Sequence, residues 1–192
     1  MNPVPEAFSA CLSCKDCGLC ETRTNVVVGS GNPESRIMFI GEGPGEKEDL
    51  SGEAFVGPAG QLLDDYLSLI GLDRSSIYIA NIVKCRPPMN RDPSPDECRA
   101  CRKWLDIQLS YVNPEIMVCL GRIAAREMIS EDFRITKEHG KWFFIGGRKI
   151  IATYHPSALL RDVSKRPEAF ADFREIRSEL RRITGLKYEA IV

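Results

Sequence analysis

RIMFIGEGPGEKEDL, at residues 36–50, is the stretch that decides the fold. RIMFI is a short apolar run that predicts a buried strand, and a glycine-rich turn follows it directly. A dinucleotide fingerprint would need a glycine at Glu46, and the G-K-[ST] of a phosphate loop is missing. The same turn carries four acids, Glu42, Glu46, Glu48 and Asp49. Carboxylates so close together would repel a phosphate, so we expect no nucleotide cofactor.

Strand and helix patterns alternate along the rest of the chain. Further strands are expected from residue 77, over 115–121 and in a hairpin around Gly146-Gly147; helices are expected over 58–72, 96–112 (capped by Asp96), 122–129 and 168–186. This order predicts an α/β fold: a three-layer α/β/α sandwich around a short, mostly parallel sheet of about four strands. We expect residues 1–192 to form a single domain, with a cysteine-containing segment (1–35) packed on the core.

The composition is that of an ordinary globular protein, with 43% hydrophobic and 28% charged residues. No run approaches the ~20 apolar residues that span a bilayer, and the first residues lack a secretory signal pattern. We therefore expect a cytoplasmic protein without a membrane partner. Residues 1–96 hold 8 Lys/Arg and 14 Asp/Glu (−6), whereas 97–192 hold 18 and 13 (+5). Such asymmetry is compatible with a basic face that meets a polyanion, or with scattered solvated charge.

Eight cysteines indicate metal or redox chemistry if the compartment is reducing. CLSCKDCGLC repeats cysteine at every third position, and C-x-x-C pairs hold metal centres. If Cys98 and Cys101 supply the second pair, the pattern is that of a zinc ribbon. If Cys85 and Cys101 supply it, the wider spacing suits an iron–sulfur cluster. The spacing alone leaves both open.

Several loops that follow strands carry residues suited to a binding pocket, because ligands bind at the carboxyl edge of parallel sheets. The acids of the 41–50 turn suit water activation or hydrogen bonding to a neutral or cationic partner, or they belong to a solvated acidic loop. Phe55 can stack on a flat ring or belong to the core. Asn81 can read a pyrimidine edge, because an amide both donates and accepts, or it can cap the strand. His155 can donate to a developing oxyanion or be structural.

Two apolar side chains follow His155 in a loop that should be exposed. Leu159 can act as a wedge in a base stack, with Arg161 on a phosphate. Alternatively, Leu159 and Leu160 begin a helix and pack inward.

Together, six motifs resemble the iron–sulfur uracil-DNA glycosylases of family 4. They are CKDCGLCETRTNVVVG (14–29), GEGPGEKED (41–49), FVGPAGQLL (55–63), NIVKCRPPMNR (81–91), Cys101 and HPSALLR (155–161). They occur in order across residues 14–161. The resemblance implies a monofunctional enzyme that flips uracil out of DNA and hydrolyses its N-glycosidic bond, leaving an abasic site for base excision repair.

The resemblance also implies a cofactor, a [4Fe-4S] cluster with a structural role. Its ligands would be Cys14, Cys17, Cys85 and Cys101, and Cys11, Cys20 and Cys98 would be additional thiols. The implied partner is uracil-containing DNA, single- or double-stranded, bound by a monomer.

The resemblance assigns a role to each pocket position. The main chain of Gly41, Glu42 and Gly43 would hold the base, Phe55 would stack on it, Asn81 would read its edge, and His155 would donate to uracil O2. On the DNA, Leu159 would fill the gap left in the duplex, and Ser157 and Arg161 would contact the strand.

The acids are assigned by comparison with family 1 glycosylases. Gly43 stands where family 1 has a catalytic Asp, and Gly45 where it has a thymine-excluding Tyr. We therefore expect Glu42 to activate water, with Asp49 as the second candidate, and Glu48 to block the thymine methyl group.

Two other functions fit the sequence less well. A nucleic-acid-binding module without catalysis would not need Glu42, Asn81 and His155 together. The covalent variant of the superfamily carries a His-containing insertion after the third cysteine, and the loop RPPMNRDPSP has no His.

Overall fold

The computed structural model describes residues 8–185, and its centre is a six-stranded sheet in the order β1-β3-β2-β4-β6-β5. The strands are β1 (Ser30–Gly31), β2 (Ile37–Gly41), β3 (Tyr78–Asn81), β4 (Ile116–Leu120), β5 (Trp142–Ile145) and β6 (Arg148–Thr153). The four central strands β3, β2, β4 and β6 run parallel, and β1 and β5 add antiparallel edges. The mostly parallel sheet is confirmed. The predicted count of about four strands is too low, because the sheet has six; the edge strand β5 belongs to the expected hairpin, whereas β1 was not expected.

Helices cover both faces of the sheet, which confirms the three-layer sandwich. In the described part of the chain they are α1 (Ser9–Leu12), α2 (Glu46–Ser51), α3 (Pro58–Leu69), α4 (Pro95–Val112), α5 (Arg122–Met128), α6 (Ile135–Glu138), α7 (Pro156–Arg161) and α8 (Arg166–Thr184). Strand β2 is buried throughout, and its side chains alternate between two cores. Met38 and Ile40 pack towards α4 and α5, whereas Ile37 and Phe39 pack towards α3 and α8.

The helix ends differ slightly from the predictions. Helix α4 is capped by Ser94 instead of Asp96: the Ser94 hydroxyl accepts from the Glu97 amide, and the Glu97 carboxylate accepts from the Ser94 amide at 2.7 Å. This reciprocal pair satisfies two backbone donors that a helix start leaves free. Helix α8 begins at Arg166, two residues before the predicted start, and residue 186 lies outside the described part of the chain.

The cysteine-containing N-terminal segment contacts the core through apolar side chains. Phe8 and Leu19 are buried in the core on the α4 side, and the Phe8 ring meets Tyr111 of α4 edge-on at 5.5 Å. Among residues 8–185, none of the helices has the length and apolar character needed to cross a membrane.

Candidate functional site

The candidate pocket lies where the parallel strands end together. Gly41 closes β2, Asn81 closes β3, and His155 follows β6 by two residues. The register pairs Gly41 directly with Asn81. The topology therefore brings together three of the residues that the sequence proposed for one pocket.

Gly41 lies where a side chain would not fit. A Cβ atom there would be 2.4 Å from Asn81 Oδ1 and 2.5 Å from Phe55 Cζ, well inside van der Waals contact. The bare backbone of Gly41 thus allows the amide and the ring to approach each other at the strand end.

Phe55 is held in an unusual backbone conformation. Its φ is +56°, in the left-handed region that β-carbon-bearing residues rarely adopt. Its carbonyl accepts a 2.6 Å hydrogen bond from Arg74 Nη2, and a Cβ on Gly60 would lie 1.7 Å from the same oxygen. The ring is mostly buried, with its centroid 5.8 Å from that of His155. Strain of this kind is typical of functional sites.

Asn81 presents an unpaired amide oxygen. Its side chain is 1% exposed, and within residues 8–185 the buried Oδ1 has no hydrogen-bond partner. Buried polar atoms in native proteins are nearly always hydrogen-bonded, so such an atom at a pocket indicates a ligand that donates to it.

His155 caps α7 and is fixed in one tautomer. Its Nδ1 accepts a hydrogen bond from the Ser157 backbone amide at 3.1 Å, and the Ser157 hydroxyl lies 2.7 Å from the same nitrogen. A nitrogen that accepts from an amide carries no proton, so the neutral ring has its proton on Nε2. Burial, with the nearby charge of Arg161, lowers the pKa of His155 to about 4. At neutral pH the ring is therefore an uncharged Nε2–H donor.

Glu42 is the acid of the turn whose carboxylate remains available. Burial, with the nearby charge of Asp92, raises the pKa of Glu42 to about 7, although Arg122 and Arg161 oppose the shift. Asp92 itself is paired with Arg122 at 2.7 Å. In the described part of the chain no hydrogen bond engages the Glu42 carboxylate. A carboxylate that titrates near neutral pH is suited to accept a proton.

Of the other three acids of the turn, Glu46 is exposed, whereas Asp49 and Glu48 are bound by backbone amides. Asp49 is buried, and its oxygens accept from the amides of Thr24 at 2.9 Å and Asn25 at 3.2 Å. The Asp49 carboxylate therefore anchors the N-terminal segment, and its role as second candidate for activating water stays a prediction. Glu48 accepts from the amides of Gly45 at 3.1 Å and Gly57 at 2.7 Å, and so bridges two loops.

The expected wedge residue is placed differently. Leu159 is 1% exposed and belongs to the core on the α3 and α8 side, so it does not project from the surface in this structure, and its insertion into DNA stays a prediction. The reason is that α7 begins at Pro156, which turns Leu159 inward and leaves Leu160 41% exposed. Ser157 is engaged with His155, and Arg161 is exposed at the end of the same helix. Contacts of these two residues with DNA stay predictions.

Six cysteines line one cavity between the N-terminal segment, the loop after β3 and α4. They are Cys11, Cys14, Cys17, Cys20, Cys85 and Cys101. Cys98 and Cys119 are buried in the core and do not line the cavity. Between Phe8 and Gly185, no three Cys, His, Asp or Glu side chains are grouped closely enough to hold a single metal ion.

Three of the four expected cysteine ligands accept N–H hydrogen bonds at their sulfur. The pairs are Trp104 Nε1 with Cys14 at 3.3 Å, Arg23 Nη1 with Cys85 at 3.2 Å, and the Lys84 amide with Cys101 at 3.3 Å. Burial raises the pKa of Cys85 and Cys101, and the bonds from Arg23 and Lys84 oppose that shift and so favour thiolate sulfur, the form that ligates iron. The donor set therefore fits an iron–sulfur cluster.

Three residues that support the pocket are not among the site residues expected from the sequence. Arg74 holds the Phe55 carbonyl, and nothing in its loop marked it for that role. Lys84 and Gln108 are buried and hydrogen-bonded to each other beneath Asn81. A lysine inside the apolar run IANIVKC was a signal that could have found this pair.

The chain is similar to a known family over most of its length. Residues 28–181 match the model of the uracil DNA glycosylase superfamily. The chain is 43% identical to the type-4 uracil-DNA glycosylase of Archaeoglobus fulgidus over 92% of both chains. It is 48% identical to the type-4 enzyme of Thermotoga maritima over 79% of this chain and 80% of that one. The type-4 enzyme of Sulfurisphaera tokodaii is 45% identical, over 92% of this chain and 84% of that one.

Asp49→Ala tests the anchoring role of the buried acid. The substitution leaves the amides of Thr24 and Asn25 without their acceptor, so the free energy of unfolding should fall by about 3 kcal/mol. Urea denaturation measures it. Asp65→Ala, which removes an exposed acid from α3, is the control and should change stability by less than about 0.5 kcal/mol. An equally small change at Asp49 would contradict the anchoring role.

Proposed function

The chain belongs to the type-4 uracil-DNA glycosylases of the uracil DNA glycosylase superfamily, DNA-repair hydrolases that release uracil, and we propose that the pocket at the sheet edge is its active site. The observation that carries this proposal is the unpaired Oδ1 of Asn81 beside the Phe55 ring. Uracil presents an N3–H donor next to an O4 acceptor, which is the complement of a primary amide. Cytosine reverses both groups and would be rejected.

The base is bound by stacking and by main-chain contacts. Phe55 stacks on the flipped uracil, and the backbone of Gly41, Glu42 and Gly43 lies along its edge. The strained backbone of Phe55, clamped by Arg74, supports a preformed stacking surface. A preformed pocket lowers the ordering cost of flipping a base.

The hydrolysis uses two groups on opposite sides of the bond. Water attacks C1′ of the deoxyribose, the C1′–N1 bond breaks, and its electron pair leaves on uracil. His155 Nε2–H donates to O2, where negative charge develops, and Glu42 accepts the proton of the water. The fixed tautomer of His155 and the raised pKa of Glu42 support these roles.

Glu48 is proposed to exclude thymine. Its carboxylate is held by amides from two loops, so it is a rigid polar wall next to the glycine turn. A rigid wall can reject a methyl group that a mobile side chain would accommodate.

The cysteine cavity is proposed to hold a [4Fe-4S] cluster through Cys14, Cys17, Cys85 and Cys101. When bound, the cluster links the N-terminal segment, the loop after β3 and α4, which is a structural contribution. Cys11 and Cys20 line the same cavity but are not proposed as ligands.

The remaining proposals concern the whole protein. We propose that residues 1–192 act as one domain and one monomer, because one chain supplies every proposed pocket residue. Eight free cysteines suit a reducing compartment, which supports a cytoplasmic location. The substrate is uracil-containing DNA, single- or double-stranded, with Arg161 and Ser157 near the strand.

Glu42→Gln tests the water-activating role. Since a base acts only when deprotonated and burial raises the pKa of Glu42 to about 7, the wild-type kcat should rise about tenfold between pH 6 and pH 8. The variant should lose this slope and at least about 100-fold in rate, yet still bind the substrate. Alkaline cleavage of a single-stranded uracil oligonucleotide measures the rate. Glu46→Gln, an exposed acid of the same turn, is the matched control; wild-type kinetics for Glu42→Gln would refute the role.

Leu160→Ala tests which leucine enters the duplex. If Leu160, the exposed leucine of α7, fills the gap that the flipped base leaves, the variant should lose about tenfold in kcat/KM on duplex DNA. It should lose little on single strands, which have no such gap. The control is Leu69→Ala, which removes an exposed leucine from the C-terminal end of α3 and should change neither value. Equal losses on both substrates would show that Leu160 does not fill a gap in the stack.

Cys101→Ala tests the cluster assignment against its neighbour on the same helix. The variant should be isolated with little iron and without the brown colour of the wild type, whereas Cys98→Ala should keep both, because Cys98 does not line the cavity. Iron analysis and visible absorbance after anaerobic purification measure this. A colourless wild-type protein that contains zinc would overturn the cluster, because zinc has no visible absorbance.

A further inference from the structure

A buried lysine lies between the cysteine cavity and the pocket. Lys84 is 1% exposed, and none of the roles described above uses its side chain. Burying an ammonium group is costly unless it is paired and hydrogen-bonded, so its position calls for an explanation.

The side chain of Lys84 reaches back to the residue proposed to read uracil. Its Nζ donates to the backbone carbonyl of Asn81 at 2.6 Å and to Gln108 Oε1 at 2.5 Å. These contacts hold the end of β3 from below, while Gly41 packs against the Asn81 amide from the side.

Gln108 connects this support to the core. It is fully buried in α4, and its Nε2 donates to the Val28 carbonyl at 2.7 Å and to the Tyr78 hydroxyl at 3.3 Å. Its amide is thus fixed on both sides, and it gives Lys84 a rigid acceptor.

The backbone of Lys84 lies against the cysteine cavity. Its amide donates to Cys101 Sγ at 3.3 Å, and the next residue is Cys85. The nearby sulfurs of Cys101, Cys11 and Cys85 would act on the buried ammonium only as thiolates. Ligated thiolates would supply the negative charge that a buried ammonium requires.

We propose that Lys84 is a positioning residue that holds Asn81 in its uracil-reading orientation. The inference rests on the proposed function, in which Asn81 reads uracil. Lys84 acts through Asn81 and does not touch the substrate.

The experiment is a double-mutant cycle between Lys84→Met and Asn81→Ala. Methionine has a similar length but cannot donate, so it leaves the Asn81 carbonyl and Gln108 Oε1 without their partner. Lys84→Met should lower kcat/KM on a single-stranded uracil oligonucleotide about 10- to 100-fold, per iron-loaded molecule. It should weaken the binding of free uracil by a similar factor, measured by titration calorimetry. In the Asn81→Ala background the same change should have almost no further effect.

Controls separate this role from general damage. Lys103→Met removes an exposed ammonium that also lies near the cysteines and is paired with Asp16, and it should leave uracil binding unchanged. If Lys84→Met does not retain iron, the cycle is made with Gln108→Met, which removes the rigid acceptor of Lys84 far from the cysteine loops. We then expect a smaller loss of uracil binding and kcat/KM than for Lys84→Met. This loss should again be absent in the Asn81→Ala background.

Two results would overturn the proposal. One is wild-type uracil binding in the iron-loaded variant, and the other is a loss that adds fully to that of Asn81→Ala. A different result would challenge the proposed function instead. If Asn81→Ala alone leaves uracil binding and kcat/KM unchanged, Asn81 does not recognise uracil.

Discussion

Two main-chain hydrogen bonds continue the pairing of β2 and β3 beyond the ends of the strands. The amide of Ile82 donates to the Gly41 carbonyl at 2.9 Å, and that of Val83 donates to the Glu42 carbonyl at 3.1 Å. They fix the glycine turn against the segment that leads from Asn81 to Cys85. The Lys84 carbonyl accepts from Val27 at 2.8 Å, which adds the N-terminal segment. The backbone hydrogen bonds therefore connect three proposed functional parts: Glu42 as the general base, the Asn81 amide and the cysteine site.

Much of the fold could be predicted because parallel strands covered on both faces appear as continuous apolar runs. RIMFI and EIMVCLG have this form, and the alternation with helices was enough for the three layers. The two-residue strand β1 is too short to leave a pattern. The Ser94 cap was missed because Asp96 is an equally good cap by residue type, and the choice depends on where the chain turns. Leu159 and Leu160 are chemically identical, and the start of α7 decides which one is buried.

The acids of the glycine turn illustrate why the site was harder to predict than the fold. Glu42, Glu48 and Asp49 are within eight residues, and their types carry no information that separates them. The structure separates them by what each carboxylate meets. Asp49 binds amides 24 and 25 residues away in the chain, and Glu48 binds one local amide and one from the next loop. The Glu42 carboxylate accepts no amide hydrogen bond, and burial raises the pKa of Glu42 to about 7. Such long-range contacts cannot be derived from local sequence.

The unpaired oxygen of Asn81 places stability and recognition in opposition at one position. A buried acceptor that meets no donor costs about 1–3 kcal/mol of folding free energy. A protein with an apolar side chain of the same shape at residue 81 would be more stable, but that side chain could not hydrogen-bond a base. If Asn81 reads uracil as proposed, the same acceptor makes the pocket selective, because a ligand with a donor at that point pairs with it and a ligand with an acceptor there does not. Under that proposal, the folding cost at residue 81 is coupled to discrimination between uracil and cytosine.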